Sequence, residues 1–216
     1  MSKLLIATHN AGKLRELSEL MAGAPFRLVS LEDVGVEQEV EETGDTFEAN
    51  AGLKATTYAR LTGLPTLADD SGLEVDALGG EPGVRSSRYA GEEATDADRV
   101  AFLLEKLQNE GKGPWPARFR CVIAIAWGPE DLEFHTGECE GFIIDEPRGS
   151  SGFGYDPVFL LPDRGKTMAE LSTDKKNLVS HRSRASRKAA DALKRRFRNT
   201  PFPSTGEGSH QGDFGR

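Results

Sequence analysis

No apolar run in the chain approaches the roughly 20 residues needed to cross a bilayer, and the opening stretch from Lys3 to Ala7 turns polar before a secretory core could form. A cytoplasmic protein with no membrane partner is the expectation. Cysteine is scarce: Cys121 lies in an apolar, strand-like run and Cys139 in an acidic one, without the paired spacing of a zinc site, so both are expected to be reduced and structural. There is no internal repeat and no low-complexity stretch that would divide the 216 residues, which predicts one domain over residues 1–199. Only the stretch after Thr200, made of Gly, Ser, Pro and polar residues, buries too little to order itself and is expected to be a disordered tail over 200–216. A positive balance is lacking too. At a net charge of −8 the chain is a poor polyanion binder, and no nucleic acid partner is expected.

What charge there is lies unevenly. From Leu31 to Asn50 there are eight acidic and no basic residues, whereas Arg164 to Arg198 holds twelve Lys or Arg against three acids. Such segments either face each other across a cleft holding a metal and a polyanion, or form two solvated faces.

The hydrophobic pattern opens with a buried strand at Lys3 to Ala7, a turn at Thr8 to Gly12 and a helix from Lys13 to Met21. A second helix is expected after Asp45, capped by that side chain, with Phe47, Ala51, Tyr58 and Leu61 inward and Lys54 interrupting the stripe. Lys54 either snorkels or marks a face that lines an anion-filled cleft. Thr66 to Ala68 reads as a short strand, Asp69-Asp70-Ser71-Gly72 as a turn, and Leu73 to Leu78 as its continuation. Asp96 to Leu107 is a helix capped by Thr95; Ala117 to Trp127 and Leu132 to Ile144 are two long strands. A final helix begins at Ser180 with Ala185, Ala189, Leu193 and Phe197 inward. Together these predict an α/β domain with a mixed, twisted sheet, flanking helices and a cleft built by loops at strand ends.

Four constellations can carry chemistry. Thr8-His9-Asn10-Ala11-Gly12-Lys13 sets a hydroxyl, an amide, a close-approach glycine and a lysine at a helix start, groups that suit phosphate oxygens or form an ordinary cap. It is not a Walker A loop, because the six-residue frame and the hydroxyl after the lysine are missing. Glu41-Glu42 and Asp69-Asp70 are two acidic pairs from different elements, the usual magnesium signature unless both are solvated turns; strand alternation lets only one of the aspartates face the cleft. Gly152-Phe153-Gly154-Tyr155-Asp156-Pro157 holds an aromatic ring between glycines, either stacked on a base or packed in a tight turn. Lys176 and Ser180-His181-Arg182 offer donors at a helix N-terminus that match a 6-oxo purine better than adenine, if they are not a solvated basic turn.

With these motifs in order, the chain closely resembles the inosine triphosphate pyrophosphatase family, the non-canonical purine nucleoside triphosphate pyrophosphatases, from Lys3 to Phe197. The resemblance rests on Thr8 to Lys13, Leu67-Ala68-Asp69-Asp70-Ser71-Gly72-Leu73, Phe153 to Pro157 and Ser180 to Arg182. It implies a mixed α/β fold of two lobes around a nucleotide-binding cleft, usually a homodimer, that splits ITP, dITP or XTP into monophosphate and pyrophosphate with Mg²⁺. By resemblance Thr8, His9, Asn10, Ala11, Gly12 and Lys13 grip the triphosphate with Lys54, and Glu41 and Asp70 bind magnesium. Asp70 is also the proton acceptor. Phe153 stacks on the base, with Gly154, Tyr155, Asp156, Lys176, His181 and Arg182 around it and Ser71 nearby. This chain has Ala49-Asn50-Ala51 where many relatives read Glu-Asn-Ala, which leaves Glu41, Glu42 and Glu48 open as the second metal-site acid. A pyrophosphatase of other nucleotide preference and a non-catalytic RNA-binding module are the competing readings.

Overall fold

Leu4, Leu5 and Ile6 are all fully buried, the unbroken apolar signature of a strand covered on both faces, and they form β1 (Lys3–Ile6) at the heart of a parallel trio. The computed structural model describes residues 2–23, 25–128 and 130–199; the tail expected over 200–216 and the side chain of Phe197 lie outside the described residues. Helix α1 (Ala11–Leu20) follows, capped by the Asn10 side chain on the Lys13 N–H, then β2 (Arg27–Ser30). Helix α2 (Phe47–Thr62) leads to β3 (Thr66–Val75). Helix α3 (Asp96–Leu107) precedes the long hairpin of β4 (Trp115–Gly128) and β5 (Asp131–Ile143). Short β6 (Phe159–Leu161) and β7 (Lys166–Thr167), then α4 (Thr173–Val179) and α5 (His181–Asn199), complete the chain.

The sheet order is β2-β1-β3-β4-β5-β6-β7, with β1 parallel to β2 and β3 and every later pair antiparallel. This is the mixed, seven-stranded sheet with flanking helices that the pattern predicts. One core packs Ala51, Ala55 and Tyr58 of α2 on Leu5, Ala68 and Val122. On the opposite face Leu17 of α1 and Ala185, Ala189 and Leu193 of α5 pack on Leu4, Ile6 and Ile123. A third core, around Leu103, Phe119, Phe159 and Met168, gathers α3 and the far ends of β3 to β6 into a second lobe. Among the described residues no helix is long and apolar enough to cross a membrane. Both cysteines are buried and free.

Several local expectations are corrected. Asp69 to Gly72 is not a turn: β3 runs through it, with Asp69 opposite Ile123 and Asp70 opposite Val122 in an unbroken ladder to β4. Cross-strand pairing with a long partner overrides the turn preference of Asp, Ser and Gly. Thr46, not Asp45, caps α2, its hydroxyl accepting from the Ala49 N–H at 3.1 Å. Leu61 is half exposed, because the buried stripe of α2 runs through Ala55 to Tyr58 and Ala59 instead. Between β3 and α3 the chain also makes a 3₁₀ turn at Gly83–Arg88.

Candidate active site

Two neighbouring cavities open where α1, β3 and α5 meet the second lobe. They share Asn10, Lys13, Glu42 and Ser87. The first, about 110 Å³, is lined by Asp70, Phe119, Phe153, Tyr155, His181 and Arg182 among others. The second, about 590 Å³ and more polar, is lined by Thr8, His9, Lys54, Tyr58, Arg88 and Glu41 among others.

Because β3 continues through the acidic pair, Asp69 and Asp70 point to opposite sides of the sheet. Asp70 faces the first cavity. Its Oδ2 accepts from Asn50 Nδ2 at 3.0 Å and its Oδ1 from the Ser71 N–H at 2.9 Å. Lys54 Nζ stands 3.9 Å from the same Oδ1 and pairs closely with Glu42. Burial pushes the Asp70 carboxyl up to about 6, against the pull of Lys54 and Lys13 and with help from the negative charge of Glu42. Burial also works against ionised Glu42, but Lys54 beside it wins and holds that carboxyl below its usual value.

Asp69 is fully buried behind the site and organises cations. Its Oδ2 pairs with Lys13 Nζ at 3.2 Å and with the Arg182 guanidinium at 3.5 Å. Arg182 also donates to Ser71 Oγ at 2.8 Å and pairs with Glu16. Glu16 reaches Lys176 Nζ at 2.9 Å, and Lys176 pairs with Asp156 at 2.6 Å. Asp156 finally accepts from the Phe153 N–H at 3.1 Å. Alternating charges thus run from Lys13 to the aromatic loop. Each buried ion has at least one opposite partner, the condition for burying charge at all.

The Phe153 ring lies under both Lys176 Nζ, at 4.9 Å, and the Arg182 guanidinium, at 5.5 Å. It rests on Gly12, where an added Cβ would stand 3.0 Å from Cδ1 of the ring. His181 stacks on Phe119 at 4.7 Å, and its Nδ1 has no hydrogen-bond partner among the described residues. Burial, with Arg182 and Lys176 adding to it, drives its pKa well down, so the imidazole is neutral. A neutral ring with an unpartnered Nδ1 beside two cations can offer donors and acceptors to a polar heterocycle.

The residues singled out in the sequence fall into two groups along this site. Asn10, Lys13, Asp70, Ser71, Phe153, Gly154, Tyr155, Asp156, Lys176, His181 and Arg182 line the first cavity; Thr8, His9 and Lys54 line the second. Gly12 sits under the ring of Phe153, and Ala11 is exposed at the start of α1. Tyr155 turns its hydroxyl inward to the Ser86 carbonyl at 2.9 Å. Of the three open acids, Glu42 lines both cavities, Glu41 is exposed at the rim of the second, and Glu48 points elsewhere, 3.6 Å from Arg120. Glu42 therefore stands with Asp70, where adjacency in sequence alone does not separate it from Glu41.

Among the described residues no three His, Cys, Asp or Glu side chains converge to hold a metal by themselves. Two hard carboxylates beside a polar cavity nevertheless fit a magnesium ion, which completes its shell with water and substrate oxygens. Asn50 and Glu16 are missed by sequence reasoning. A fully buried Asn on the inner face of α2 and a buried Glu on α1 are the signals that could have drawn attention to them, and burial is legible only in three dimensions.

The Ham1 family model matches residues 4–192. The chain is 52% identical over 185 residues to the dITP/XTP pyrophosphatase of Geobacter sulfurreducens, covering 86% of this chain and 93% of that one. It is 45% identical over 193 residues to the dITP/XTP pyrophosphatase of Bacillus subtilis, covering 89% and 98%. The solved structure of a HAM1 protein from Coxiella burnetii superposes with a TM-score of 0.84 at 42% identity, over 90% of this chain and 100% of that one. With the same fold and nearly half its residues in common with these relatives over most of both chains, the chain belongs to the Ham1 family.

Proposed function

We propose that this chain hydrolyses non-canonical purine nucleoside triphosphates, ITP, dITP and XTP, to the monophosphate and pyrophosphate, clearing them from the nucleotide pool. The observation that carries the reading is that Lys13 and Glu42 line both cavities while Asp70 faces the aromatic one, so a single nucleotide reaches all three with its base against Phe153. Relatives named dITP/XTP pyrophosphatase, 52% and 45% identical, support the substrate class.

In this mechanism the phosphate chain lies in the polar cavity, held by the Thr8 to Lys13 loop, Lys54 and the N-terminus of α1. Glu42 and Asp70 would hold Mg²⁺, with Glu41 at the rim; the ion when bound offsets phosphate charge. Asp70, with its raised proton affinity, accepts a proton from the water that attacks the α-phosphorus. The bond to the bridging oxygen breaks, and pyrophosphate leaves with its charge offset by Lys13 and Lys54. At the other end Lys176 and Arg182 present donors to a 6-oxo group. Adenine would set an amino donor against them, and a buried donor left unpaired costs about 1–3 kcal/mol.

Pyrophosphate release from ITP, dITP, XTP, ATP, GTP and UTP, with and without magnesium, tests the reading. We expect magnesium-dependent release, fastest from the first three; equal rates on ATP, or none on any triphosphate, overturn it. A homodimer and a cytoplasmic address belong to the same proposal, tested by light scattering and by cell fractionation.

A further inference from the structure

The loop that carries Phe153 is tied to the rest of the pocket by a residue outside the four motifs. Asp96, the first residue of α3, turns Oδ2 to the N–H of Gly154 at 2.7 Å. Gly154 directly follows the stacking ring and has a φ of +62°. The other oxygen of Asp96 pairs with Arg99 one turn on. Arg99 in turn donates to the Ser87 carbonyl at 2.9 Å and to the Ala94 carbonyl. Both side chains line the aromatic cavity.

Capping does not account for Asp96. The N-cap of α3 is Thr95, and its reciprocal partner is Asp98, whose carboxylate accepts from the Thr95 N–H and hydroxyl. Asp96 is thus free of the helix end and commits its acceptor to a backbone N–H 58 residues away in sequence. Charge-assisted bonds of this kind are roughly twice as strong as neutral ones. Tyr155 donates to the Ser86 carbonyl and so fixes the residue after Gly154, while Asp96 and Asp156 hold the backbone N–H groups of Gly154 and Phe153.

We infer that Asp96 and Arg99 are positioning residues for base recognition: they fasten the Phe153 loop and the 3₁₀ turn at Gly83–Arg88 to one rigid helix end and so fix the ring against which the purine stacks. The inference rests on the proposed nucleotide reading and deepens it. Neither residue lines the polar cavity that holds Thr8, His9, Lys13 and Lys54.

The test compares Asp96→Ala and Asp96→Asn with the unaltered chain, using dITP as substrate and inorganic tripolyphosphate, which has no base, as competitive inhibitor. In Asp96→Ala we expect KM for dITP to rise roughly tenfold, the size of one lost charge-assisted bond, with a kcat change under about threefold and an unchanged inhibition constant for tripolyphosphate. Asp96→Asn keeps an acceptor for Gly154 and should recover most of the KM. A KM that stays put, or tripolyphosphate affinity that falls in step with that of dITP, overturns the inference. If the unaltered chain fails to release pyrophosphate from dITP, the functional reading fails instead.

Discussion

Gly137 lies on β5 opposite Cys121, with α5 directly on top of it. A Cβ there would stand 2.2 Å from the His181 carbonyl oxygen, 2.5 Å from the Ala185 nitrogen and 2.9 Å from Arg184 Cβ. The first two of these are backbone atoms of the first turns of α5, so no side chain can swing aside and the helix must retreat by roughly 1 Å. That turn carries His181 and Arg182. The Arg182 contact to Ser71 is 2.8 Å and that to Asp69 is already 3.5 Å, so a retreat of this size carries both past hydrogen-bonding range. Gly137→Ala should therefore cost about 3 kcal/mol of stability, from overpacking together with weakened charged hydrogen bonds. It should also lower kcat/KM for dITP about tenfold or more, although no atom of Gly137 reaches the cavity. Urea denaturation and steady-state kinetics measure the two effects. Gly128→Ala is the control, since a Cβ there meets nothing within 4 Å. A Gly137→Ala protein within about 1 kcal/mol of the parent, with an unchanged kcat/KM, would refute the claim that helix-to-strand contact sets the position of Arg182.

Two further outcomes are expected. Asp70→Asn should lower kcat by about 10³-fold while nucleotide affinity, read by calorimetry with a non-hydrolysable analogue, stays within a few-fold; a variant keeping a tenth of the activity assigns the proton acceptor elsewhere. Glu16→Gln should cost roughly 2–3 kcal/mol at neutral pH, less than an isolated buried pair, because Lys176 keeps Asp156 and Arg182 keeps Asp69. Burial disfavours ionised Glu16, but Arg182 and Lys176 outweigh it and hold the carboxyl below its ordinary 4.5. Its stabilisation is then complete above that value and is lost as pH falls through the depressed one. Thermal melts across pH should show parent and variant converging in acid, and a gap that widens there contradicts the ion-pair account.

What could be read in advance followed the range of the forces involved. Helix α3 was legible to the residue, since Thr95 and Asp98 cap it by contacts three residues apart. The alternation at Asp69 and Asp70 was legible as well, even though the pair itself read as a turn, because the strand that holds it comes from β4, about 50 residues later. Strands β6 and β7, three and two residues long, carry too little periodicity to register. The four motifs located the pocket, but the carboxylates that hold its cations in place, Glu16 and Asp69, act across folds of the chain that only packing brings together. Which of Glu41, Glu42 and Glu48 stands with Asp70 stayed open in the sequence for the same reason. Glu41 and Glu42 differ in which way the backbone turns them, not in chemistry.

The run of six ions from Lys13 through Asp69, Arg182, Glu16 and Lys176 to Asp156, all buried but the half-buried Lys13, has three positive and three negative members and so contributes no net charge. Removing one member leaves a run of unequal charge, whose neighbours then lean harder on the partners they keep. Effects of substitutions at the two ends should consequently fail to add, and a change made at Lys176 or Arg182 will be felt at Lys13. A lineage drifting toward another nucleobase would have to exchange these residues in matched couples, with each acid lost accompanied by the base it answers.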